Sequence, residues 1–125
     1  MISIEDFKKI EIKIGLILSA EKIPETDKLL KLSVDFGLKP SLDGSPDHPA
    51  DDLGEKDIRQ IVSGISMYFP ETETLVGKKC AFATNLEPRM IKGFESNGMV
   101  LAVSGENFFS LLETSLDVVP GSSIK

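Results

Sequence analysis

The chain has 125 residues, one cysteine and a formal charge of −6, with 41% apolar and 27% charged side chains. That balance suits one folded domain. It argues against a disordered chain, a disulfide-stapled scaffold and a helical membrane span, since no run nears the roughly 18–20 apolar residues a span needs.

The excess acid is local. Residues 38–57 set Lys39 and Lys56 against Asp43, Asp47, Asp51, Asp52, Glu55 and Asp57, a local charge of −4, so the rest of the chain carries only −2. Affinity for nucleic acid comes mainly from neutralised phosphates, so any binding must rest on a local basic patch and be weakened by salt. The start, Met1–Lys9, lacks the basic region and apolar core of a signal peptide. Together with the lone cysteine, which forbids an internal disulfide, this sets a cytoplasmic location as the expectation.

In chain order, Ser3 and Asp6 have capping-box spacing and predict a short helix over Ile4–Lys9, with Phe7 as its anchor on the core. Ile10, Ile12 and Ile14 alternate with Glu11 and Lys13, which predicts a strand; Gly15 predicts a bulge or bend within it. Pro24–Lys28 reads as a turn. Leu30, Leu32, Val34 and Phe36 then alternate with polar residues as a second strand. Residues 38–57 show no periodicity and read as an acidic Pro/Gly-rich insert loop. Their histidine, His48, has no set of nitrogen and sulfur partners for zinc, and no EF-hand spacing is present, so no metal is expected.

Ile58–Ser63 is a third strand. Tyr68 and Phe69 either stack on bases or plug the barrel end beneath a short helix over Glu71–Leu75; the plug is the preferred reading. Lys78–Thr84 is a fourth strand with Cys80 and Phe82 facing inward, and Met99–Val103 a fifth. Ser104–Asn107 is a hairpin-like turn that opens a C-terminal extension over 104–125. Phe108, Phe109, Leu111 and Leu112 cannot all share one strand face, so they either fold back or pair two subunits, and a homodimer is the preferred reading. Five short strands, a helix between the third and fourth and no βαβ alternation predict an all-β fold: a five-stranded Greek-key barrel of oligonucleotide-binding (OB) type spanning 1–125.

Between the fourth and fifth strands, Asn85–Gly98 cannot be a plain tight turn. It carries Arg89 and Lys92 near Asn85, Ser96 and Met99, with glycines at 93 and 98. It reads as a polar, partly basic lip on the barrel; the plainer reading is a solvated surface loop.

Asn85-Leu86, Pro88-Arg89, Gly93, Ser96, Gly98-Met99 and Leu101-Ala102 together resemble the signature of the tRNA-binding domain family. Asp6-Phe7, Ile12 with Gly15, Ile23-Pro24, Asp27-Lys28-Leu29, Val34-Asp35 with Gly37, Arg59–Ile65 and Leu75–Lys78 agree in order. The resemblance covers nearly the whole chain except the insert, where typical members have a short turn. Its members include the C-terminal domain of bacterial methionyl-tRNA synthetases and free-standing tRNA-binding proteins. It implies a non-catalytic protein that recognises tRNA by shape and backbone, alone or assisting a methionyl-type aminoacyl-tRNA synthetase in trans. It implies Lys28, Arg89 and Lys92 as phosphate contacts, Asn85 and Ser96 as sugar or base-edge contacts, and Met99 as an apolar platform.

The alternative is an export-related peptide-binding chaperone with the same dimeric barrel. Asp6-Phe7, Val34–Gly37 and Pro88–Phe94 fit it; Asp27–Leu29 and Ser63–Ile65 fit the tRNA branch better. An enzyme is disfavoured: Cys80 has no histidine outside the insert to activate it, no carboxylate pair has a recognisable setting, and phosphate-binding glycine loops are absent, so no cofactor is expected.

Overall fold

The computed structural model of the chain describes residues 1–38 and 56–124. The expected insert therefore lies, but for its ends, outside the described residues. Those ends are strand: Leu38 closes one and Lys56 opens the next.

The helix α1 spans Ile4–Phe7, with the Ser3 hydroxyl accepting the Asp6 amide at 3.1 Å. Phe7 is not a core anchor: it is 41% exposed, and no residue of α1 is buried. Ile4, one turn earlier on the same face, is also exposed, so the whole helix sits off the core.

Strand β1 (Ile12–Lys22) pairs antiparallel with β2 (Leu30–Leu38) through its second half and with β4 (Lys79–Ala83) through its first. Strand β3 (Lys56–Ser63) pairs with β2, and β7 (Met99–Val100) pairs with β4, giving the order β3-β2-β1-β4-β7. The irregularity in β1 falls at Leu18, between Ile17 and Ser19, not at Gly15. Gly15 is needed for space: a Cβ there would meet Val34 and, at 2.7 Å, Phe36.

The core is the inward alternation of these strands: Ile17, Leu30, Leu32, Val34, Phe36, Ile61, Cys80 and Phe82, capped by Leu75. Phe36 meets Phe82 edge to face at 5.3 Å. Burying such side chains contributes roughly 1.5–3 kcal/mol each. Two short 3-10 helices, Ser66–Tyr68 and Thr72–Leu75, link β3 to β4. Leu75, fully buried, plugs the barrel there. Tyr68 is exposed and lies flat on Phe109 at 4.0 Å, while Phe69 is half-buried edge-on to the same ring.

The remaining strands form two hairpins: β5 (Arg89–Ile91) with β6 (Phe94–Ser96), and β8 (Ala102–Ser104) with β9 (Phe109–Leu111). The expected fifth strand is thus broken at Leu101 into β7 and β8. Past β9, Glu113 bridges to Cys80, and Gly121–Ile124 lies against the part of β1 that β2 leaves open. There the Ile14 amide donates to Ser122, and the Gly121 and Ile124 amides donate to Ile14 and Ile12, at 2.7–2.9 Å. The barrel closes where the Asn97 amide donates to the Gln60 carbonyl at 2.9 Å. The fold is the expected all-β OB barrel.

Candidate nucleic-acid interface

The lip is a second hairpin standing on the barrel's closing seam. Its two-residue turn, Lys92-Gly93, has φ of +50° and +85°, the primed turn that matches strand twist. Glycine adopts this freely, whereas lysine is held there at a cost.

Three contacts seat β6 on β3. The Ser96 Oγ accepts the Val62 amide at 2.9 Å; the Gln60 side chain donates to the Glu95 carbonyl at 2.9 Å; and the Asn97 amide donates to Gln60. Because Ser96 sits by Val62 and Asn97 by Gln60, β6 runs antiparallel to β3. The turn therefore projects past Ser63, toward the end of the sheet where Leu30 pairs with Ser63 and where Lys28 lies. The Lys31 ammonium, 5.1 Å from the Phe94 ring centre, fastens that lean.

Arg89 and Ser96 are directly opposite across the hairpin. With Met99, Leu86, Ile91 and Glu87 they line a shallow cleft of about 60 Å³. Arg89 is exposed at the rim, Met99 is 48% exposed, and Ser96 is only 4% exposed on the floor. The Ser96 hydroxyl also donates to the Gly98 carbonyl at 3.3 Å, so its proton is directed inward. Lys92 sits at the turn, three residues along from Arg89. Lys28 is exposed in the β1–β2 loop, its carbonyl holding the Ser66 amide at 2.9 Å. Among the described residues, Lys28, Arg89 and Lys92 form no ion pair.

Asn85 stands apart at the other root of the lip. Its amide donates to the Lys9 carbonyl at 2.7 Å and accepts the Glu11 amide at 2.8 Å, so both ends hold backbone.

One functional residue escaped sequence reasoning. Arg59, on β3, receives Asp57 in a fork: Nε donates to Oδ1 at 3.0 Å and Nη2 to Oδ2 at 3.1 Å. Its Nη1 reaches the carbonyls of Thr84, at 2.6 Å, and Asn97, at 3.3 Å, the residues that bracket the lip. The only available signal was an Asp-x-Arg spacing on one strand face, and that does not say what the third nitrogen holds.

Cys80 lies fully buried in the core. Burial, and secondarily Glu113, push its thiol up to about 11, against a smaller lowering by Lys78. It is a packed side chain, not a nucleophile.

Residues 51–123 match the tRNA binding domain family. The chain belongs to this family. Over 125 residues it is 47% identical to a methionine–tRNA ligase of Methanoregula boonei, a match that takes in all of this chain and 16% of the ligase. The barrel superposes on a MetRS-related protein of Pyrococcus horikoshii with a TM-score of 0.80 at 33% identity, covering 100% of this chain and 98% of that one. It superposes on the chaperone protein CsaA of Picrophilus torridus with a TM-score of 0.75 at 28% identity, covering both chains in full. Among the described residues of this tRNA-binding domain, no helix is long and apolar enough to cross a membrane.

Proposed function

We propose that this tRNA-binding domain binds tRNA without catalysing a reaction, reading folded RNA by shape and backbone through the lip. The observation that supports the reading is that Arg89 and Lys92 on the β5–β6 hairpin, and Lys28 in the β1–β2 loop, are each exposed and without an ion-pair partner among the described residues. Arg89 and Lys92 reach phosphates from the hairpin, Lys28 from the neighbouring loop. Met99 offers an apolar surface to a sugar or base. Ser96 on the cleft floor and Asn85 at the far root serve chiefly by fixing the backbone that carries the cations. The aromatic rings of Tyr68 and Phe109 are spent on each other, which favours backbone reading over base stacking.

The domain acts alone or beside a methionyl-type aminoacyl-tRNA synthetase, in the cytoplasm. It works as a homodimer whose second copy covers exposed Phe108 and Leu112. Filter binding with tRNA at two salt concentrations tests the reading. Three phosphate contacts give a slope of log K against log salt of about −2 to −3. The Arg89→Ala/Lys92→Ala pair should lower it to about −1 and weaken binding at least tenfold. Undetectable binding at low salt, or an unaffected double variant, would remove the proposal.

The likeness to CsaA supports a second reading, a peptide-binding chaperone. Suppression of client aggregation by a protein that ignores tRNA would decide for it.

A further inference from the structure

We infer that Arg59 is the positioning residue of the RNA-binding lip: its guanidinium clamps both ends of the 85–96 excursion and so sets where Arg89 and Lys92 point. This rests on the tRNA reading above.

The geometry is specific to a planar fork. Asp57 takes two of the three guanidinium nitrogens side by side and fixes the plane. That leaves Nη1 directed at the Thr84 and Asn97 carbonyls, one where the chain leaves β4 and one where it returns from β6. The Phe36 ring, 5.3 Å from the guanidinium carbon, backs the group. Arg59 and Asp57 are only 24% and 15% exposed, so neither is presented to an RNA phosphate, and the ion pair is partly sheltered from water.

Each stem is pinned independently on its far side. The Thr84 hydroxyl donates to the Glu11 carboxylate at 2.6 Å, and Ser96 and Asn97 are bonded to β3. Arg59 adds a side-chain tie between the two stems, next to the β4–β7 pairing of Ala83 with Met99. The hairpin beyond them has strands of three residues each, so its direction depends on how it is rooted. A lysine at this position keeps the charge but cannot hold a bidentate carboxylate and two carbonyls together.

The test uses the full chain and a double-mutant cycle with tRNA at low salt. In the wild-type background Arg89→Ala weakens binding about tenfold, and Arg59→Lys alone does about the same. Combined, they should cost little more than either, within about twofold, because a cation on a displaced lip has nothing left to lose. Losses that multiply would overturn the inference, since Arg59 would then act on the fold at large. Hydrogen exchange supplies the second arm. In Arg59→Lys the amides of residues 86–96 exchange faster, while those of Leu32, Val34 and Ile61 keep their protection. Unchanged exchange in the lip, or a uniform rise everywhere, would also overturn it.

If Arg59→Lys does not fold, Asp57→Asn, which releases the fork without removing it, is read by the same two arms. Wild-type protein that fails to bind tRNA would defeat the functional reading alone, and the exchange arm would then decide the clamp.

Discussion

At the scale of single residues, the lip separates the exposed side chains proposed to touch RNA from those that build the place that carries them. Ser96 belongs to the second kind. Ser96→Ala strands the buried Val62 amide, so unfolding in urea should show a loss of about 1–3 kcal/mol. Lys92 mixes both kinds. Lys92→Gly relieves a left-handed residue and should raise stability by roughly 0.5–1 kcal/mol while removing one proposed phosphate contact, so stability and tRNA affinity should move in opposite directions. Cys80 offers a pH signature. Its thiol is raised from 9.0 to about 11 in the folded chain, so above pH 9 the unfolded chain loses a proton that the folded chain keeps. Stability is therefore whole below pH 9 and falls between 9 and 11, by an amount on the order of 3 kcal/mol, and Cys80→Ala should flatten that fall.

At the scale of elements, legibility followed periodicity. Leu30, Leu32, Val34 and Phe36 alternate cleanly, and their strand and its buried face followed from the pattern, whereas its register did not. Lys92-Gly93 was not legible as a hairpin turn, because lysine seldom takes positive φ and the flanking strands are three residues long. Gly15 misled in another way: a glycine within a strand signals either a kink or a close neighbour, and only packing against Val34 and Phe36 tells which. Arg59 illustrates the same limit for the site. Its partners Thr84 and Asn97 lie 25 and 38 residues away, and no local pattern announces a pairing at that range. The tail from 112 onward has no alternation at all, yet it pairs with two strands. Because its last residues complete the edge of β1, removing Gly121–Lys125 should lower the midpoint of thermal unfolding by several degrees, at about 4–8 °C per kcal/mol for a domain near this size. It should leave the lip's tRNA contacts in place.

At the scale of the whole molecule, a charge of −6 has to coexist with a polyanionic ligand. The β5–β6 hairpin and the β1–β2 loop expose Arg89, Lys92 and Lys28 with Glu87 and Glu95 close by on the hairpin side, and acids beyond a Debye length of about 8–10 Å are largely screened at moderate salt. Binding should therefore weaken with rising salt less steeply than for a uniformly basic protein, and charge reversal of distant acids should matter only in dilute buffer. Titrating tRNA into Glu5→Lys protein at low and moderate salt checks this: a gain is expected at low salt alone.

The hydrogen bond from the Ile124 amide to the Ile12 carbonyl, 2.9 Å long, has a practical corollary. The last described residue is thereby tied to the start of β1, so a fusion made there would pull on the first strand and not on the β5–β6 hairpin.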